Sequence, residues 1–358
     1  MIMEINGSDE IYDYTYNYNY TYDDIEFLCV INDYGKLSIF ITILYSITTV
    51  IAIIGNGLVV LTYLFYKGIR SMTDVYLMNL AIADIFFVIT LPFRAVEVTE
   101  GWIFDDIGCK ILESIYSINF YSGMFLLTVI SIDRYISIVH ATKSFNYKVK
   151  ALLYSKIICL AIWLAGIIVT LPTFIFSTKY LLQTSRKVVC NIRYPKNISS
   201  IGKVITPTIQ LTLGFFIPLL IMVYCYSLII KTLLQTKNRQ RNKAFRIVIA
   251  VVASFVTCQV PYNVVVGYGL FRTTDCNIFQ TKFILNKVTQ SFAFFHCCLN
   301  PFLYAFISVK FRFYFLKIIQ DIWCLSKRYI TSHNNSASVV SRCISDFDID
   351  SPSSFNVS

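Results

Sequence analysis

A chain of 358 residues is long enough for two soluble domains, but 56% hydrophobic and 15% charged residues put it outside the globular range. The formal net charge of +10 divides into about −8 before Lys36 and about +18 after it, which is not the footprint of a nucleic-acid binder. The pattern is that of a membrane protein, an acidic arm on a basic-rimmed body.

Residues 1–35 carry eight Asp or Glu and no Lys or Arg. This arm lacks the short apolar core of a cleavable signal peptide, so the first helix is expected to direct insertion. Its tyrosines Tyr14, Tyr16 and Tyr18 stand among acids, a setting that invites sulfation and attracts a basic protein through long-range, salt-screened electrostatics. A merely solubilising tail is the plainer alternative.

Crossing a bilayer takes about 20 helical residues. Uncharged runs at 37–66, 114–132, 157–178, 204–230, 247–271 and 288–309 meet that length. A seventh, 72 to about 98, is apolar except for Asp74, Asp84, Arg94 and Glu97. The predicted fold is all-α, a seven-transmembrane helix bundle spanning 36–308. Pro92, Pro172, Pro218, Pro261 and Pro301 fall inside spans and predict kinks. Residues 309–325 place Phe315, Leu316, Ile318 and Ile319 among basic residues, as a short amphipathic eighth helix would. The Ser- and Asn-rich 326–358 reads as a disordered cytoplasmic tail.

Lys67 and Arg70 follow the first span while the arm before it is acidic, which puts the N-terminus outside and, after seven crossings, the C-terminus inside. The basic loop between spans four and five, with Lys179, Arg186, Lys187, Arg193 and Lys196, departs from the rule locally. Cys29, Cys109, Cys190 and Cys276 then lie outside, an even set that suggests two disulfides and leaves three pairings open. Asn6, Asn19 and Asn197 begin outward-facing glycosylation sequons.

Several motifs fall in order, one per span: Gly55-Asn56, Leu80-Ala81-Ile82-Ala83-Asp84, Asp133-Arg134-Tyr135, Trp163, Pro218 and Asn300-Pro301-Phe302-Leu303-Tyr304. Together they resemble the class A G-protein-coupled receptors. Thr90-Leu91-Pro92-Phe93, Trp102, Pro261-Tyr262-Asn263 and above all His296-Cys297-Cys298-Leu299-Asn300-Pro301 resemble the chemokine receptors within that class. Heavy use of Ile, Tyr, Asn and Lys, as an AT-rich genome produces, makes the chain look like a poxvirus-encoded CC chemokine receptor homologue in a host plasma membrane.

The resemblance implies a chemokine ligand outside, a heterotrimeric G protein inside, and receptor kinases and arrestin acting on the tail. It implies the pairings Cys109 with Cys190 and Cys29 with Cys276. It makes Arg134, with Asp133 and Tyr135, the G-protein switch, met by Tyr226 and Tyr304 in the active state. No cofactor is implied beyond a structural sodium ion. Asp84 near mid-bilayer must face the interior and find partners, or stay protonated; the family assigns it a sodium pocket, with Asn119, His296 and Asn300 as partners at similar depth.

At the ligand pocket, Glu97 matches a position that is acidic in some chemokine receptors, while Gln290 stands where most carry Glu. Tyr45, Trp102, Tyr116 and Tyr268 are predicted aromatic walls or interfacial packing. Gln259, two residues before Pro261, replaces the family's usual Trp and puts the activation lever in question.

Other classes fit worse. His140, His296 and His333 are too scattered for a zinc enzyme, and no HExxH, phosphate loop or nucleophile elbow is present. Phe294 stands where opsins carry their retinal lysine. Internal repeats of the transporter kind are not seen. The serious rival is a decoy that sequesters chemokine without signalling.

Overall fold

The computed structural model describes residues 34–139, 148–182, 187–195, 197–235, 239–271, 275–307, 312–321 and 323–324. The arm with Tyr14, Tyr16, Tyr18, Asn6, Asn19 and Cys29, the tail, and the side chain of Tyr304 lie outside the described residues.

Span one runs through helix Tyr34–Leu61 and a π-helical end Thr62–Lys67. Span two is Met72–Val88 and Leu91–Glu100, span three Asp106–Val139, span four Lys148–Phe176. Span five joins Ser199–Ile209, a π-helical Gln210–Phe216 and Ile217–Gln235. Spans six and seven are Arg239–Gly269 and Cys276–Ile307. Among the described residues six helices are both long and apolar enough to cross a membrane; the last span has the length, 32 residues.

The spans close a ring, one against two and seven, six against seven, with span three touching two, four, five and six. Burial reflects that centre. The apolar windows of spans two and three are 61% buried, those of spans one and four 28%. Leu160, Leu164 and Ile168 of span four point outward, which water would penalise and lipid does not. Between the helices Tyr76, Leu80, Met124, Leu127, Ile130, Met222 and Phe255 pack a dry inner cluster.

Local chemistry explains the turns. Ser71 and Asp74 form a reciprocal capping box at the start of span two, and Asp74 also receives Lys67 at 2.5 Å. That accounts for an acid at a membrane border. Span two breaks at Ile89 and Thr90, where Thr90 Oγ1 donates to the Phe87 carbonyl at 2.6 Å, just before Pro92. A Cβ on Gly55 would lie 2.8 Å from Pro301, so the glycine lets spans one and seven approach, and Asn56 Nδ2 bonds the Cys297 carbonyl at 3.0 Å across the same contact. Trp163 Nε1 donates to Asn79 Oδ1 at 3.1 Å, tying spans four and two.

The basic outer loop is a β-hairpin that sequence reading did not find. β1, Ser177–Leu182, pairs antiparallel with β2, Lys187–Ile192, Lys179 opposite Cys190. Helix 312–321 lies at the inner end, with Ile318 buried and Phe313 and Leu316 exposed. Tyr66 of span one donates to its Asp321 at 2.6 Å.

Candidate functional site

Three polar sites lie along the bundle, and span three takes part in each. At the outer end is a cavity of about 330 Å³. Span three contributes Glu113, Tyr116 and Tyr121 to its wall, and span five contributes Lys203 from its α-helical start and Gln210 from the point where the helix widens to π geometry. Tyr262, Lys287 and Gln290 close it from spans six and seven. The hairpin roofs it, fixed by the Cys109–Cys190 disulfide. Gly101, at φ 86°, turns the chain beneath the hairpin, and the Trp102 amide donates to the Val188 carbonyl at 2.7 Å.

Under the cavity Arg94 Nη1 lies 2.8 Å from Glu113 Oε1 and 3.3 Å from Glu97 Oε2. The other oxygen of Glu97 accepts the Cys190 amide at 2.8 Å. The guanidinium is flanked by two carboxylates, as burial of a full charge requires. Glu113 was missed because the uncharged run begins at Ser114; the helix actually continues outward to Asp106, and Arg94 is what lets it carry an acid there. A hint was present in Arg94 and Glu97, three apart on one helix.

Of the predicted ligand residues, Tyr116 and Gln290 line the cavity. Glu97 does not; its carboxylate is spent on Arg94 and Cys190 and offers no free anchor. Tyr45 is buried between spans one and seven, accepting from Ser291 at 3.1 Å and packed on Phe294. Trp102 lies beneath the disulfide, its Nε1 bonded to the Asp105 carbonyl at 3.0 Å. Tyr268 is exposed at the rim with Lys282 4.4 Å from its ring centre. None of these three lines the cavity. Tyr194, a wall residue outside the spans, has its phenol pKa pushed up by burial.

At mid-depth Asp84 is fully buried and receives Asn300 Nδ2 at 2.8 Å and Asn119 Nδ2 at 3.4 Å, with His296 Nε2 3.8 Å away. All four residues named from sequence meet here. Both amides turn nitrogen toward the acid, but amide orientation is interchangeable. Asn300 Oδ1 has no partner among the described residues, so rotating that amide gives a cation a second oxygen at the cost of one bond, that of Asn300 Nδ2 to Asp84, which the ion replaces. The residues present therefore fit a sodium ion. Above them Gln259 is 2% exposed and its Oε1 is likewise unpartnered.

At the inner end Asp133 Oδ2 holds Arg134 at 2.6 Å and accepts from Thr73 Oγ1 at 3.0 Å, and Arg134 also contacts Thr73. Thr73 was not foreseen. Tyr226 meets Ser131 at 3.2 Å, one turn from Arg134, and the Tyr135 ring lies 6.4 Å from that of Tyr224.

Residues 55–304 match the 7 transmembrane receptor (rhodopsin family) model. The chain is 44% identical to mouse C-C chemokine receptor type 6 over 357 residues, covering 94% of this chain and 97% of that one. Identity to human C-C chemokine receptor type 6 is 47% over 326 residues, 89% and 86% of the two chains. The chain belongs to the chemokine receptors of the rhodopsin family. Human C-C chemokine receptor type 7 is 40% identical over 316 residues, 86% of this receptor and 82% of that one. The receptor is a membrane-spanning protein and not an enzyme.

Proposed function

We propose that this receptor captures a basic chemokine at an extracellular face and activates a heterotrimeric G protein at a cytoplasmic one. The observation that carries the reading is span three, which bears a cavity residue, Glu113, and the Asp133–Arg134 pair on one continuous helix. From Cys109 to Arg134 the rise is about 37 Å, so the two ends serve different faces. Arg134 folded onto Asp133 and Thr73 fits a closed, resting switch.

Capture would take two steps. The acidic arm attracts the basic body of the ligand, helped by sulfation of Tyr14, Tyr16 and Tyr18. The cavity then takes its N-terminal segment. Arg94 is shared by Glu113 and Glu97, which leaves one formal negative charge, while Lys203 and Lys287 bring two positive ones and Gln290 none, so the wall is positive by about one charge. A segment with an acidic side chain suits it better than a bare ammonium.

The rest follows the family: plasma membrane, N-terminus outside, glycosylation at Asn6, Asn19 and Asn197, a sodium ion at Asp84, and kinases and arrestin at the tail. Asn197 is on an exposed turn, as a sequon needs. A poxvirus source is supported by residue usage alone.

A non-signalling decoy is the second reading, favoured by Gln259 in place of Trp. Nucleotide exchange on membranes carrying the receptor, measured with a panel of C-C chemokines, separates them. We expect at least one ligand to raise exchange, and Arg134→Ala to abolish it while affinity falls by a modest factor, since coupling is reciprocal. Tight binding with exchange no higher than in Arg134→Ala would establish the decoy.

A further inference from the structure

The pocket around Asp84 holds donors that sodium does not need. Asp84, His296 and Cys297 each bring one ligand atom to within 4.8 Å of the other two, and all three residues are buried. His296 Nε2 stands 3.6 Å from Cys297 Sγ and 3.8 Å from an oxygen of Asp84. Tetrahedral zinc, with bonds of about 2.0 to 2.3 Å, separates its ligand atoms by about 3.3 to 3.6 Å. The imidazole nitrogen therefore stands within about 0.5 Å of that spacing from both partners, and the third pair, Asp84 and Cys297, has to close from a separation of at most 4.8 Å.

The imidazole is already oriented for this. Its Nδ1 contacts the Ala293 carbonyl at 2.5 Å, and a carbonyl only accepts, so Nδ1 carries the proton. In the neutral ring Nε2 then presents its lone pair to the gap between Asp84 and Cys297, the arrangement usual for metal-bound histidines. A fourth ligand is at hand in Asn300, whose Nδ2 donates to Asp84 at 2.8 Å and whose Oδ1, buried and without a partner among the described residues, turns toward the ion when the amide rotates and gives up that bond. Water is the alternative fourth ligand.

We propose that Asp84, His296 and Cys297 form a binding site for a zinc-type divalent ion, which competes with sodium for Asp84. Thiolate and imidazole donors select a borderline-soft metal over a hard monovalent one. Charge balance favours it as well: one divalent ion, one carboxylate and one thiolate sum to zero, so no net charge is left in the bundle. On binding, the Sγ–H bond of Cys297 breaks, its proton passes to water, and sulfur donates the freed pair to the metal. Since the ligands come from spans two and seven, the ion pins one to the other and holds the receptor closed.

The test uses the full-length receptor, purified in detergent, stripped with chelator and titrated with zinc, with cobalt as a spectroscopic substitute. We expect one zinc per receptor, a raised melting temperature, and a thiolate-to-cobalt charge-transfer band. Cys297→Ser should remove the band and weaken zinc binding at least tenfold, His296→Gln should weaken it similarly, and sodium should compete. Absence of the band in the unmodified receptor overturns the proposal, whether or not the variants fold. So does stabilisation by sodium but not by zinc, or equal zinc affinity in Cys297→Ser. None of these readouts involves chemokine binding or exchange, so failure here leaves the receptor reading intact.

Discussion

Two buried charged clusters, one around Arg94 and one around Asp84, solve the same problem in opposite ways. Arg94 is ringed by Glu97 and Glu113, and Glu97 is tied through the Cys190 amide to a disulfide-anchored hairpin. One guanidinium faces two carboxylates, so Arg94 finds its counter-charge wholly inside the protein, held by covalent bracing. Asp84 has two amides, an imidazole and the Cys297 thiol about it but no Lys or Arg among the described residues, with an orphaned oxygen on Asn300. The first cluster carries its own counter-charges, although Arg94 Nη2 has no partner among the described residues, and it clamps span two to span three. The second is left short of a cation, and a site short of a cation can report on one.

The largest expected effect is at the Arg94 cluster. Arg94→Leu strands two carboxylates in a low-dielectric interior, and removing one partner of a buried pair costs about 3 to 5 kcal/mol. We expect most of the receptor to be lost from the cell surface, measured by quantitative surface labelling. Normal expression would mean that the carboxylates protonate without consequence and that the cluster is no clamp.

Asp84→Asn should behave differently, although Asp84 is the more deeply buried group. It removes a charge that lacks a full counter-charge, while an amide can still bond Asn300 and Asn119. We expect melting temperature in sodium-free buffer to change by the equivalent of less than about 1 kcal/mol, and any stabilisation by sodium to vanish. A loss as large as that of Arg94→Leu would put both clusters in the same class and break the comparison.

Sequence reading reached these clusters unequally, for a physical reason. An acid at mid-bilayer is conspicuous, and the motif positions of Asn119, His296 and Asn300 on spans three and seven gave its partners at once. The seven spans, the break before Pro92 and the inner helix were legible from hydropathy, proline and amphipathic spacing. Glu113 was hidden because a charge at the edge of an apolar run looks like the end of the span, and only the fold brings Arg94 to neutralise it. The hairpin was hidden because its strands are six residues each and its loop basic. Thr73 at the inner switch could not be found from spacing, being 60 residues from Asp133.

The remaining comparison concerns Gln259, which shares the incompleteness of the Asp84 cluster. Its side chain is 2% exposed, its Oε1 has no partner among the described residues, and Asn263, bonded to its backbone carbonyl at 2.9 Å, leaves its own Oδ1 unpartnered too. An unsatisfied buried acceptor costs about 1 to 3 kcal/mol. That penalty falls on the arrangement in which the oxygen is orphaned, so any rearrangement of span six that gives it a partner is favoured by the same amount. If the closed receptor bears the penalty and an open one does not, the open population rises by roughly 5- to 150-fold, the factor such energies command. Ligand-independent nucleotide exchange is the consequence. Gln259→Leu keeps much of the volume and removes the orphan, so it should stabilise the purified receptor by about 1 kcal/mol and lower basal exchange, with chemokine-stimulated exchange retained. Basal exchange that stays level while the melting temperature rises would show that the orphan burdens both states equally and that Gln259 plays no part in the switch.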